Sequence, residues 1–257
     1  MKPRNCLVTG SQGFIGTHLV RKLIAQGHAV QGYDLQHNQD ILDPVTLAAA
    51  IKQSDIVFHL AARVDVQESF KYPQAYYHTN VAGTLNVLSS CLTYHKKLIY
   101  PSTAAVYQKN SSPYAHSKAI AEDILTQFLT HPITILRLFN VYGVGMNPTT
   151  MLSRFAHETP ITIYGTTPHT RDFIHVDDVT DIMITAMSNR WNGRSMDVGT
   201  GLSYSVPEIA SWFQKPIVYK AKREEVEDSQ ANTAQLRDIY TKPFKNLKSY
   251  LDNIIEP

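Results

Sequence analysis

Thr9-Gly10-Ser11-Gln12-Gly13-Phe14-Ile15-Gly16 lies between a short apolar run, Cys6–Val8, and a stretch of helical periodicity, Phe14–Ala25. Its spacing is Gly-x-x-Gly-x-x-Gly. In a strand–turn–helix setting the first glycine permits the tight turn and the second lets the backbone approach a pyrophosphate. The third lets helix and strand pack closely. The helix start then offers unpaired N–H groups and a partial positive charge to phosphate. Asp34 stands 18 residues beyond Gly16, at the end of the next β-rich run, Ala29–Tyr33. A carboxylate there accepts hydrogen bonds from both ribose hydroxyls of NAD and repels a 2′-phosphate. The residues after it, Leu35-Gln36-His37, include no arginine. The stretch reads as an NAD-binding βαβ unit.

The pattern continues outward from that loop. Ile56–Leu60, Lys97–Tyr100 and Ile133–Leu138 are further short apolar runs bounded by turn residues. Val45–Gln53, Gln74–Leu92 and Tyr114–Leu129 between them have helical length and period. Strand–helix alternation implies parallel strands with helical crossovers: an α/β fold, a Rossmann-type doubly wound parallel sheet. Past Tyr142 the alternation loosens, with Pro148, Pro160, Gly165 and Pro168 in quick succession; Asp177–Ser188 then reads as a helix and Ser195–Val198 as a strand. The expected division is a Rossmann domain over 1–142 plus about 172–200, and a small interleaved C-terminal substrate cap over about 143–171 plus 201–257.

Composition narrows the classes. The 257 residues are 43% hydrophobic, enough for a sizeable core, which excludes disorder as the main state. With 24 basic and 22 acidic side chains, the net charge of +2 lacks the basic excess of a nucleic-acid or membrane-surface binder. Two cysteines, Cys6 and Cys91, build no disulfide framework and suit a reducing compartment. The opening apolar run is too short for a signal peptide or a membrane span, and the expected location is cytoplasmic. No metal site is expected.

Tyr114-Ala-His-Ser-Lys118 opens the fourth long helix and puts phenol and ammonium one turn apart on one face. A phenol of pKa ~10 becomes a base at neutral pH only if lowered by about 3 units, ~4 kcal/mol. A neighbouring lysine and a positively charged nicotinamide supply favourable charge of that kind. Upstream, Ser102-Thr103 places two hydroxyls at the carboxyl end of the fourth strand, where a threonine can bond a substrate hydroxyl and relay its proton.

These motifs, with Asp40-Ile41-Leu-Asp43, Phe58-His-Leu-Ala-Ala62, Asn80-Val-Ala-Gly-Thr84, Leu136-Arg-Leu-Phe-Asn140-Val-Tyr-Gly143, Arg171-Asp-Phe-Ile-His-Val-Asp-Asp178 and Arg223-Glu-Glu-Val-Glu-Asp228, run through nearly the whole chain. Jointly they resemble the extended short-chain dehydrogenase/reductases, within the NAD-dependent epimerase/dehydratase family acting on nucleotide sugars. The resemblance implies Thr103, Tyr114 and Lys118 as catalytic residues. Gly10, Gly13, Phe14, Ile15 and Gly16 would hold the pyrophosphate, Asp34 the ribose, and Asp40 and Ile41 the adenine. Leu60, Ala61 and Ala62 would let the dinucleotide lie against the backbone, and Lys118 would bridge to the nicotinamide ribose. Ser102, Thr103, Asn140, Arg171 and Arg223 would meet the substrate, the arginines at its diphosphate. Asn80 is implied to pin a helix or face the cofactor, not to react.

Ser102-Thr103-Ala104-Ala105 discriminates among reactions. Dehydratase relatives carry Thr-Asp-Glu here and decarboxylase relatives Thr-Ser-Glu, whereas a pair without a carboxylate is similar to UDP-hexose 4-epimerases. Such a site transfers hydride but has no evident acid–base pair for expelling water. The implied reaction is oxidation of a UDP-sugar at C4 by tightly bound NAD, rotation of the 4-keto sugar, and re-reduction. Net dehydrogenation or reduction of a sugar nucleotide or smaller carbonyl compound is the alternative. A catalytically silent NAD-binding protein fits less well, since Tyr114 and Lys118 are both retained. The chain departs from the family by being trimmed: only six residues separate Tyr107 from Tyr114, and Gln108 replaces the usual glycine. A homodimer is expected, through the helices from Gln74 and Tyr114. Val81, Leu85 and Leu88 on one and Ile120, Ile124 and Leu125 on the other recur at helical spacing.

Overall fold

A computed structural model of the chain describes residues 2–165, 169–221 and 228–255. Its strands are β1 (Asn5–Thr9), β2 (Ala29–Tyr33), β3 (Ile56–His59), β4 (Lys97–Thr103), β5 (Ile133–Leu138), β6 (Asn140–Tyr142), β7 (Ile161–Tyr164), β8 (Thr170–His175), β9 (Arg194–Val198), β10 (Ser203–Ser205) and β11 (Ile217–Lys220). The chain divides into two units, Met1–Arg137 with Thr180–Met196, and Leu138–Val179 with Asp197–Pro257.

Six strands form the main sheet in the order β2-β1-β3-β4-β5-β9, and β1, β2, β3 and β4 run parallel. β1 has β2 on one side and β3 on the other, so the winding reverses at β1. A crevice for ligand opens at such a switch point, outside the carboxyl ends of the strands. The glycine loop follows β1 and Leu60-Ala61-Ala62 follows β3, so both face that crevice. The doubly wound parallel sheet expected from the sequence is the fold found.

The inner strands of the sheet are buried on both faces, as crossover helices require. Leu7, Val57, Leu98 and Ile135 contribute to a core that includes Leu47 and Ile51 from the helix Pro44–Gln53 and Leu125 from the helix Pro113–Thr126. Each such fully buried side chain contributes about 1.5–3 kcal/mol. Burial also pushes the thiols of Cys6 and Cys91 up to about 12, leaving both as small core hydrophobes.

Helix starts are written in the sequence. Asp43 accepts from the amides of Val45 and Thr46 and Pro44 fills the first turn; Ser112 accepts from Ala115 N ahead of Pro113. Three details differ from the sequence expectation. The stretch expected as one helix over Gln74–Leu92 is Pro73–Tyr77, a wider π-type turn His78–Ala82, and Gly83–Thr93. Gly83 lies there against Ile41, whose Cδ1 is 2.4 Å from where a Cβ would stand. β4 passes through Pro101 to Thr103, because its pairing with β3 ends at Ile99 and the missing N–H costs no bond on that side. A short helix, Val66–Lys71, is started by Asp65 accepting from Glu68 N.

Of the six positions expected to face a partner, Leu88 and Leu125 are committed to the core of their own subunit. Leu85 is exposed, and Val81, Ile120 and Ile124 are half-buried.

The second unit has its own core, with Tyr142, Phe155, Phe173 and Phe213 among its members. It holds a three-stranded sheet, β10-β8-β6, and a pair, β11-β7. Asp172 on β8 is its buried polar tie. It accepts from Thr200 N and Oγ1, Gly201 N and Ala231 N, binding two loops to one carboxylate. Among the described residues, no helix is long and apolar enough to cross a membrane.

Candidate active site

The glycine loop is built by contacts that tolerate no side chain. Gly10 has φ +68°, and a Cβ on it would stand 2.7 Å from Ala61 N and 2.8 Å from Leu60 C. A Cβ on Gly16 would stand 2.2 Å from the Gly10 carbonyl oxygen. The loop therefore lies against the Leu60-Ala61 backbone with nothing between. The helix Phe14–Ala25 starts at Gly13 with no side-chain cap, unlike the three capped helices above. An uncapped amino end beside a cradle only glycine can line fits a pyrophosphate.

Asp34 is held in place by two backbone amides. Its Oδ2 accepts from Gln12 N at 2.9 Å and its Oδ1 from Gln36 N at 3.0 Å, so the carboxylate bridges the glycine loop and the turn after β2. Asp40 Oδ1 accepts from Leu42 N, and Ile41 is buried against Gly83.

Behind the loops runs a hydrogen-bond chain whose direction can be deduced. Thr84 Oγ1 donates to Asn80 O at 2.6 Å, so it accepts from His59 Nε2 at 3.1 Å. Thr9 Oγ1 accepts from Ala61 N at 3.2 Å and donates to His59 Nδ1 at 2.8 Å. His59 is thus the neutral Nε2–H tautomer, and burial, with Lys118 adding to it, pushes it down to about 3. The Asn80 side chain carries the chain onward: Oδ1 accepts from Arg63 N, and Nδ2 donates to Arg63 O and Ser117 Oγ. Ser117 Oγ donates to Tyr114 O. Glycine loop, β3 loop and the start of the tyrosine helix are joined without a break.

The helix Pro113–Thr126 presents Tyr114, Lys118 and Glu122 at i, i+4 and i+8, all buried. They engage the end of β4. Thr103 lies beside the Tyr114 phenol and favours its ionised form, and its Oγ1 accepts from Ala105 N. Lys118 Nζ donates to Pro101 O, and Ser102 Oγ donates to Glu122 Oε2. Burial raises the Tyr114 phenol above its ordinary value, offset in part by Thr103. Burial likewise pushes Lys118 down to about 7, opposed by the charge of Glu122.

Thr103, Tyr114 and Lys118 are therefore brought together, and so are the glycine loop, Leu60 and Ala61. Ser102, expected to face substrate, is buried with its hydroxyl on Glu122. In the second unit, Asn140 Nδ2 donates to Asp172 O at 2.8 Å, and Arg171 is buried with Nη1 on Thr170 O. Arg223 lies outside the described residues. Sequence reasoning missed Glu122, although the Tyr114–Lys118 spacing carried one turn further finds it. It quoted His59 only within a motif, with no role.

The chain matches the family model "NAD dependent epimerase/dehydratase family" over residues 6–199. It is 30% identical to UDP-N-acetyl-alpha-D-glucosaminuronate decarboxylase of Bacillus cytotoxicus, covering 82% of this chain and 79% of that protein. It is also 30% identical to UDP-glucose 4-epimerase of Yersinia enterocolitica, covering 81% of each. Among solved structures, UDP-glucose 4-epimerase of Thermotoga maritima with UDP-glucose superposes with a TM-score of 0.87 at 27% identity, covering 98% of this chain and 97% of that one. The glycine cradle, the pinned Asp34 and the Tyr114–Lys118 pair thus sit in a chain that belongs to the NAD-dependent epimerase/dehydratase family.

Proposed function

We propose that the protein is a nucleotide-sugar 4-epimerase using NAD, with a UDP-hexose as substrate. One observation carries the choice of reaction: Thr103 lies beside the Tyr114 phenol at the end of β4, and the next two residues, Ala104 and Ala105, offer no carboxylate. The carboxylate nearest in sequence on the facing helix, Glu122, is occupied by Ser102 and Arg137.

NAD fits the first unit on the strength of the Gly10–Gly16 cradle and Asp34. When bound, NAD would accept a hydride from the sugar C4 and return it to the opposite face. The chain supplies the rest. Gly10, Gly13 and Gly16 with the amides of Phe14 and Ile15 hold the pyrophosphate, and Asp34 accepts from the ribose hydroxyls. Asp40 and Ile41 meet the adenine, and the small residues Ala61 and Ala62 leave the cofactor room against the backbone. Tyr114 Oη takes the proton of the C4 hydroxyl, with Thr103 in the relay, and gives it back after the 4-keto sugar turns. Lys118 lowers the phenol and bonds the nicotinamide ribose. Asn140, Arg171 and Arg223 of the second unit, the substrate cap, serve the sugar diphosphate.

The decarboxylase among the relatives supports a second reading, in which a uronic-acid sugar loses CO2 after C4 oxidation. Incubating the protein with UDP-glucose, UDP-galactose, their N-acetyl forms and UDP-glucuronate, followed by NMR, separates the two. Inversion at C4 with all carbons retained is the expected result. Release of CO2, or stoichiometric NADH without inversion, overturns the epimerase reading. We further propose a homodimer, supported by the exposed Leu85 and half-buried Val81 and Ile120 on adjacent helices, and a cytoplasmic location, supported by the two free cysteines.

A further inference from the structure

We propose that Glu122 is a positioning residue for the Tyr114–Lys118 pair, fixing the end of β4 through Ser102 and keeping Lys118 a cation. The inference rests on the reading of Tyr114 and Lys118 as the acid–base pair. Three helix positions on one face meet three consecutive strand residues: Lys118 bonds Pro101, Glu122 bonds Ser102, and Tyr114 lies beside Thr103. A slip of the helix along the strand would break all three contacts at once, so the Glu122–Ser102 bond sets the register in which Thr103 reaches the phenol.

The electrostatic half follows from what surrounds the carboxylate. Glu122 Oε1 accepts from Arg137 at 2.6 Å, and Arg137 Nη1 donates to Tyr107 Oη at 3.0 Å with its guanidinium over the Tyr107 ring. A buried carboxylate with no cation is costly, and Arg137 from β5 provides the counter-charge. Among the described residues, Lys118, one helical turn away, meets a carbonyl and the face of Tyr100 as direct partners, groups that neutralise no charge. The other titratable groups facing it are Tyr114 on its own helix, Tyr100 on β4 and His59 on β3. All are neutral at pH 7 while the phenol is protonated, and His59 stays so. Glu122 is therefore the anion that opposes the burial of Lys118.

The test follows the lysine directly. In protein carrying 13C at the lysine ε-carbons, with Lys118→Arg identifying the Lys118 signal, the titration midpoint is read with and without NAD. Glu122→Gln keeps the size and an acceptor for Ser102 but removes the charge. It should lower the midpoint by at least about half a unit and move the alkaline limb of the kcat profile the same way. Glu122→Asp should restore the midpoint. If Glu122→Gln fails to fold, Ser102→Ala tests the contact from its other side: turnover should fall by at least about tenfold with NAD affinity unchanged, and unchanged turnover overturns the proposal. An unmoved midpoint in Glu122→Gln, with kcat reduced equally at every pH, also overturns it. Tyr114→Phe assayed alongside keeps the two claims apart. If it retains turnover, the acid–base reading itself fails, whereas the lysine titration judges Glu122 alone.

Discussion

Lys118 Nζ donates to the carbonyl of Pro101 across 2.9 Å and lies 4.1 Å from the centre of the Tyr100 ring. Burial pushes the ammonium down to about 7, opposed by the charge of Glu122. Lys118→Ala should weaken NAD binding and lower turnover together. With the neighbouring cation gone the Tyr114 phenol titrates higher, so residual activity should recover as pH rises. A pH–rate profile with parallel NAD titrations checks this; an unshifted profile contradicts it.

His59 gives a second pH dependence, with a defined sign. The folded protein holds it down to about 3 against 6.5 for the free imidazole. Between those values the unfolded chain binds a proton that the folded chain refuses, so stability present above 6.5 is lost as pH falls toward 3. His59→Asn should be less stable at pH 7 yet show a flatter decline over that window. Denaturant midpoints at half-unit pH steps would show it.

Asp34, fixed by Gln12 N and Gln36 N, should set cofactor choice. NAD should bind at least about tenfold more tightly than NADP, ~1.4 kcal/mol. Asp34→Ala should narrow the gap and weaken NAD itself. Equal affinities in the unaltered protein contradict the assignment.

Gly83 is required by Ile41. A Cβ at Gly83 would stand 2.4 Å from Ile41 Cδ1 and 2.9 Å from its Cγ1. Gly83→Ala should cost about 1–3 kcal/mol through overpacking. In an Ile41→Ala background the cost should fall by at least about 1 kcal/mol, since the two residues share one space. Additive effects in the four-protein cycle would contradict the contact.

What the sequence made legible was local. The glycines of the first loop are dictated by backbone approach, and Tyr114 and Lys118 by helical spacing, so both could be read without coordinates. The His59 chain could not be read, because Thr9, Thr84 and Asn80 meet it only after β1, β3 and the π-type turn come together. That turn was hidden too: Gln74–Leu92 keeps a helical apolar period through the change in winding at His78–Ala82. Ser102 looked like a substrate group because it stands at a strand end. Only the tertiary pairing with Glu122 shows where its hydroxyl goes.

The central claim, that the Tyr114 phenol moves the proton in an NAD-dependent reaction at the sugar C4, is tested most directly by Tyr114→Phe. The change removes one oxygen, leaves the ring beside Tyr76, and touches neither the glycine cradle nor Asp34. NAD affinity and thermal stability should change little, while turnover of a competent UDP-sugar falls by about 10²–10⁴-fold, as for loss of a positioned acid–base group. Turnover kept above about a tenth of the unaltered protein's, less than ~1.4 kcal/mol of barrier, would contradict the account.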